Sequence, residues 1–184
     1  MTVQTQPTKI STWQIDPAHT TVEFAIKHLM VTTVKGYFGD VRGTIVIDEA
    51  DPARSLVDAT IGAASIDTRN AQRDAHLRAP DFLDVERYPT ITFRSRRVEP
   101  RGTNAARIIG DLTIRDVTRE VVLDATLEGR GRDPWGNERI GFSARTTIDR
   151  RDFGLTWNEP LETGGFLLGD QVEISLDVEA IRQS

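Results

Sequence analysis

Alternation of apolar and polar residues, repeated along most of the chain, constrains this fold more than any other feature. Thr20–His28 places Val22, Phe24, Ile26 and His28 on one face, and Thr21, Glu23 and Lys27 on the other. Successive side chains of a strand point to opposite sides, so this pattern predicts a half-buried strand. It returns at Tyr37–Asp48, with Tyr37, Val41, Ile45 and Ile47 inward, and at Ser55–Ile66, with Val57, Ala59, Ile61 and Ala63 inward. Further on it brings in Ile91 and Phe93; Ile108, Leu112 and Ile114; Val121, Leu123, Ala125 and Leu127; Ile140, Phe142, Ala144 and Ile148; and Val172, Ile174, Leu176 and Val178. Turn signals such as Asp16-Pro17, Asp51-Pro52 and Pro100-Arg101-Gly102 separate the runs. About eight or nine short strands at this spacing predict an antiparallel sandwich or an up-and-down barrel. Gly36, Gly39 and Gly43 interrupt one run and read as bulges or bends. Leu29–Val34 has no clear period and reads as a short turn of helix. GRGRDPWGN (129–137) reads as a long hairpin loop with an exposed Trp135, and 149–165 as irregular. No linker divides residues 10–182, which read as one domain after a loose segment, 1–9.

One stretch breaks the pattern. SIDTRNAQRDAHLRAPDFLDVERYP (65–89) predicts a helix, with Asp67 or Thr68 as its N-cap. Ala71 and Ala75 share a face, Asp74 and Arg78 stand at i and i+4, and Pro80 ends the helix. Phe82, Leu83 and Val85 then form an apolar plug. A single helix with a plug, set among strands, predicts a cap on the end of a barrel.

Composition narrows the chemistry. The 184 residues suffice for one sizeable core, and only 38% are hydrophobic, as strands with one solvated face require. A net charge of −5 argues against nucleic acid as a partner. There is no cysteine, and His19, His28 and His76 match no metal-ligand spacing, so neither a metal nor a cofactor is expected. No apolar stretch is long enough to span a bilayer and no leader is visible at the start, which predicts a cytoplasmic protein without a transmembrane segment. No serine-hydrolase, phosphate-loop or zinc-protease motif occurs. His76 with Asp74 or Asp81 is a conceivable catalytic pair, although Asp74 and His76 face apart on a helix. A binding pocket fits better, since an eight-stranded barrel is wide enough to hold a small ligand. Periodicity alone leaves both a filled and a hollow barrel open.

Six segments carry a family resemblance: WQIDPAHTTVEFAIKHL (13–29), VKGYFGDVRGTI (34–45), SIDTRNAQRDAHLRAPDFLDVERYPTITF (65–93), GDLTIRDVT (110–118), DPWGNERIGFSA (133–144) and IDRRDFGLTWNEPLETGGFLLGD (148–170). In this order they resemble the YceI-like family of lipocalin-like, polyisoprenoid-binding proteins. The resemblance implies an all-β fold: an extended eight-stranded antiparallel barrel with one helix and a hydrophobic internal cavity. It also implies a non-enzymatic carrier of isoprenoid or fatty-acyl lipids, usually a homodimer. Many such proteins carry a signal peptide, and none is expected here.

The expected function is therefore to sequester or transport a long-chain amphiphile, with an isoprenoid-acting enzyme or chaperone, or a structural protein with a filled barrel, as alternatives. The residues expected to line the tail are Phe24, Ile26, Ala59, Ile61, Phe93, Leu112, Phe142 and Ile174. Arg73, His76 and Trp157 are expected near the head group or entrance. Edges at Pro89–Val98 or Gly169–Ile181 are candidates for pairing between subunits.

Overall fold

In a computed structural model that describes residues 9–184, eleven strand segments close into a barrel. They are β1 (Ile10–Ile15), β2 (Thr21–His28), β3 (Thr32–Phe38), β4 (Val41–Asp48), β5 (Leu56–Gly62), β6 (Ile66–Asp67), β7 (Thr90–Arg101), β8 (Ala105–Ile114), β9 (Val117–Arg132), β10 (Glu138–Asp149) and β11 (Leu168–Arg182). All pairings are antiparallel. β1 and β2 run end to end along β11, interrupted by one turn of 3₁₀ helix at Pro17–His19. β3 and β4 continue each other along β2 and β1, and β5 and β6 along β4 and β3. The segments thus form eight staves in sequence order, and the last closes on the first through β1 and β11. Closure removes most of the edges at which chains would otherwise pair, leaving β3 unpaired on one side at residues 32–36. The loose segment expected at 1–9 lies, up to residue 8, outside the described residues. Among the described residues no helix is long and apolar enough to cross a membrane.

Three local expectations are corrected. Leu29–Val34 is no helical turn. Leu29 and Met30 both have positive φ, and Val31 N–H donates to His28 C=O, which makes a type I′ hairpin turn. Tyr37 is not inward. Phe38 and Val41 both face the lumen, because the chain slips by one residue at Gly39-Asp40 between β3 and β4. The long loop at 129–137 shrinks to Asp133–Asn137, since β9 and β10 pair as far as Arg132 and Glu138. The proposed pairing edges are also taken: β7 lies between β5 and β8, and β11 between β10 and the β1–β2 stave.

A guanidinium ties the hairpin end together. Arg139 donates to Asp133 and Asp16 at 2.8 Å and to Glu179 at 3.0 Å. Arg139 and then His19 hold the Asp16 carboxyl below its usual range. At Asp133, burial acts to raise the pKa, but Arg139 and the N–H groups of Asn137 and Trp135 outweigh it, so that carboxyl too is held low. Depressed carboxylates stabilise the fold fully above their ordinary pKa of about 4, and this is lost as pH falls through the folded value. Arg139→Gln is therefore expected to lower stability at pH 7, and its gap to the parent protein is expected to narrow as pH falls from about 4 towards 2. Urea denaturation across that range checks it; a gap that stays constant with pH rules out the linkage.

Candidate functional site

The lumen is hollow. A cavity of about 540 Å³ runs the length of the barrel, from His28, Thr68 and Leu83 at the helix end to Glu49, Asn104 and Arg130 at the hairpin end. All eight residues expected to line a tail lie on its wall. Two features keep it open. Ala59, Ala106, Ala125 and Ala144 are small at inward positions. The larger rings of Phe24 and Phe93 lie back against glycines. A Cβ on Gly36 would stand 2.3 Å from the Phe24 ring, and one on Gly110 2.6 Å from the Phe93 ring. Each phenyl group therefore plates the wall instead of crossing the lumen. Glycine at position 36 is explained by this close approach, not by a bulge.

The helix end is stoppered. Helix α1 (Ala71–Arg78) starts at Asn70, whose side chain accepts from Arg73 N–H, so neither Asp67 nor Thr68 is the N-cap. Asp67 instead accepts from Arg69 N–H, and Thr68 is engaged by Asp74, which accepts from its N–H and its hydroxyl at 2.9 and 2.6 Å. The expected Asp74–Arg78 pair does not form. Arg78 reaches back to the carbonyls of Ala64 and Ile66, and Arg73 to the hydroxyl and carbonyl of Thr68. Ala71 and Ala75 are exposed, so they make no packing face. The apolar contribution comes from the plug, in which Phe82 and Leu83 are buried and line the cavity end.

A second cover comes from residues 150–167. Arg150 is buried, with only 4% of its surface exposed, yet it lies at the cavity floor. Its guanidinium donates to the carbonyls of Gly169, Leu155 and Trp157 at 2.8, 2.6 and 2.9 Å, and stands 3.8 Å from Asp170. Burial pulls its pKa down, as expected for a cation taken out of water. Asn158 completes the cover by bonding both the N–H and the C=O of Leu168. Simple periodicity could not reveal Arg150, because its partners are carbonyls of an irregular segment.

The three residues expected near a head group all fall at this closed end. Arg73 touches the cavity, with its guanidinium engaged by Thr68. His76 and Trp157 are not on the cavity wall. They stack edge to face at 4.7 Å, and with Phe82 they join α1 to the 150–167 cover. His76 Nε2 bonds the Asp81 carboxylate at 2.9 Å, so Asp81, not Asp74, is its partner.

The pattern that defines the YceI-like domain matches residues 13–180. The chain belongs to the YceI-like family. It is 42% identical over 165 residues to a UPF0312 protein of Pseudomonas paraeruginosa, covering 90% of this chain and 83% of that one. Among solved structures, the Campylobacter jejuni YceI protein is 34% identical and superposes with a TM-score of 0.73, covering 86% of this chain and 90% of the other. A polyisoprenoid-binding domain from Saccharophagus degradans has the same fold at 13% identity, with a TM-score of 0.69 over 96% of this chain and 99% of its own. The fold is the closed, lipocalin-like eight-stranded barrel with one helix that the six motifs imply.

Proposed function

We propose that this YceI-like protein binds a long-chain amphiphilic lipid, an isoprenoid, and sequesters or carries it unaltered with its tail in the barrel. The observation that carries this reading is the apolar lumen held open by alanines and by rings seated on glycines. A barrel selected only for stability would fill that space, since each buried void forgoes packing energy. The shared fold with a polyisoprenoid-binding domain supports the same ligand class. Phe24, Ile26, Ala59, Ile61, Phe93, Leu112, Phe142 and Ile174 would contact the tail. Arg73 would meet its tip, and His76 and Trp157 would hold the stopper. Each buried CH₂ contributes about 0.8 kcal/mol, so one five-carbon prenyl unit supplies roughly 3–4 kcal/mol gross. Tail selectivity is then weak, and length is measured by where the stopper stands.

Native mass spectrometry followed by organic extraction tests the reading. A discrete added mass released as an intact prenyl or acyl lipid supports it. A protein that stays bare when challenged with prenyl lipids overturns it, and a chemically altered lipid favours an enzyme. His76 bears on that alternative. His76→Ala is expected to leave lipid affinity within about twofold and to cost about 1–2 kcal/mol of stability through its two lost aromatic contacts. Loss of a lipid-converting activity in that variant would transfer the role to the His76–Asp81 pair. The same mass spectra count subunits. We also propose a homodimer, for which the outer edge of β3 at residues 32–36 is unpaired among the described residues.

A further inference from the structure

Three arginines line the cavity: Arg73, Arg130 and Arg150. Two are committed to the fold, Arg73 to Thr68 and Arg150 to three carbonyls. Arg130 differs. Its Nη1 donates to Glu49 Oε1 at 2.6 Å, and among the described residues its remaining N–H groups have no protein acceptor. Glu138 lies close enough to feel the Arg130 charge but makes no hydrogen bond to it, being bonded by Arg182 at 2.7 Å and Arg132 at 3.3 Å. Both members of the Glu49–Arg130 pair are partly exposed, with 38% and 44% of their side-chain surface accessible.

The position of the pair is as informative as its chemistry. Glu49 follows β4, and Arg130 lies near the end of β9. Around the closed ring of staves, β4 and β9 are four steps apart in either direction. The ion pair therefore spans the full diameter of the mouth at the hairpin end, opposite the stopper.

Arg130 reaches the lumen through a defect in the strand. Along β9, Val121, Leu123, Ala125 and Leu127 face inward at odd positions. Gly141 pairs with Gly129 while Phe142 pairs with Leu127, so Glu128 is an extra residue, and its carboxylate is held outside by the Ser143 hydroxyl at 2.6 Å. The bulge switches parity and turns an even-numbered residue, Arg130, onto the cavity wall. Bulges at barrel rims re-aim side chains in this way. On the opposite side, Glu49 simply continues the inward parity of Ile45 and Ile47.

We propose that this mouth is a head-group site for an anionic amphiphile, with Arg130 as the cation that binds the head and Glu49 as the internal counter-ion that the head displaces. The proposal rests on the reading of the barrel as a lipid carrier and adds the chemistry of the head. An entering carboxylate or phosphate replaces one anion on Arg130 with another, so breaking the strap is compensated. A neutral alcohol breaks the same pair and returns only a weaker hydrogen bond. The tail then points at the stopper, and the polar head stays in the solvated rim with Thr103 and Asn104.

The test uses three probes with one tail: geranylgeraniol, geranylgeranoic acid and geranylgeranyl monophosphate. Each displaces the neutral dye N-phenyl-1-naphthylamine from the full chain. At least one anionic probe is expected to bind about tenfold or more tighter than the alcohol, in line with a charge-assisted hydrogen bond. Which of the two binds tighter distinguishes a carboxylate head from a phosphate. Arg130→Gln is expected to remove this preference, the anionic probes falling to the affinity of the alcohol. Glu49→Gln is expected to strengthen the anionic probes, because it frees Arg130 of its competitor. Equal binding of all three probes by the parent protein, or a preference that survives in Arg130→Gln, overturns the head-group site and leaves tail binding standing. Failure of all three to displace the dye overturns the carrier reading itself.

Discussion

Arg150→Met is expected to lower the melting temperature by roughly 10 °C and to open the helix end of the barrel first. The side chain is buried and donates to the carbonyls of Leu155, Trp157 and Gly169. Methionine fills much of the volume but donates nothing, so three carbonyls lose their partner. A buried polar group left unpaired costs about 1–3 kcal/mol, and with partial relaxation the three together cost about 3–4 kcal/mol. For a chain of this size each kcal/mol shifts the melting temperature by roughly 2–4 °C. Because the lost bonds hold the 150–167 cover, amide exchange should accelerate in that segment and at the start of β11 before the rest of the barrel. Scanning calorimetry with hydrogen exchange checks both parts. A shift under about 2 °C, or uniform acceleration, would mean that the cover is held by Asn158 and the aromatic stack instead.

Ala59→Phe is expected to weaken lipid binding by about a hundredfold or more while leaving the fold intact. Ala59 lies on β5 between Gly43 of β4 and Phe93 of β7, and its side chain faces the cavity. A phenyl group there enters open space, so the usual overpacking cost of about 1–3 kcal/mol in a filled core is largely avoided. It displaces about one prenyl unit of tail, worth roughly 3–4 kcal/mol gross, and each 1.4 kcal/mol is tenfold in affinity. Dye displacement reports the affinity, and the circular dichroism melt reports the fold. Unchanged affinity in a folded variant would place the tail elsewhere in the lumen. Gly36→Ala offers an independent test, since it pushes the Phe24 ring off its seat and into the cavity.

These two residues differ in how visible they are in the sequence. Ala59 stands in an alternating run, and its inward direction follows from period two alone. The same holds for the other seven residues expected to line a tail, because pleat geometry is local. Arg150 stands where alternation stops, and nothing nearby announces that a cation will be buried. In the sequence His76 and Trp157 read as neighbours of a ligand, because polar and aromatic residues outside the strands often meet one. The fold uses them to fasten a helix to a loop more than seventy residues away. Gly169–Ile181 is no edge for a related reason: closure of β1 and β2 on β11 is a non-local pairing that no window of sequence contains.

Period-two alternation, the turn dipeptides and one interrupted stretch were enough to determine strands, a capping helix and most of the inward residues, and the six motifs added the family. Each of these depends on neighbours in the chain. Only the tertiary structure decided that the barrel is hollow, which end is stoppered, and that Glu49 meets Arg130 across the mouth. Those facts depend on where a phenyl ring finds a glycine on the next strand, where a bulge reverses parity, and which staves stand opposite each other once the ring is closed.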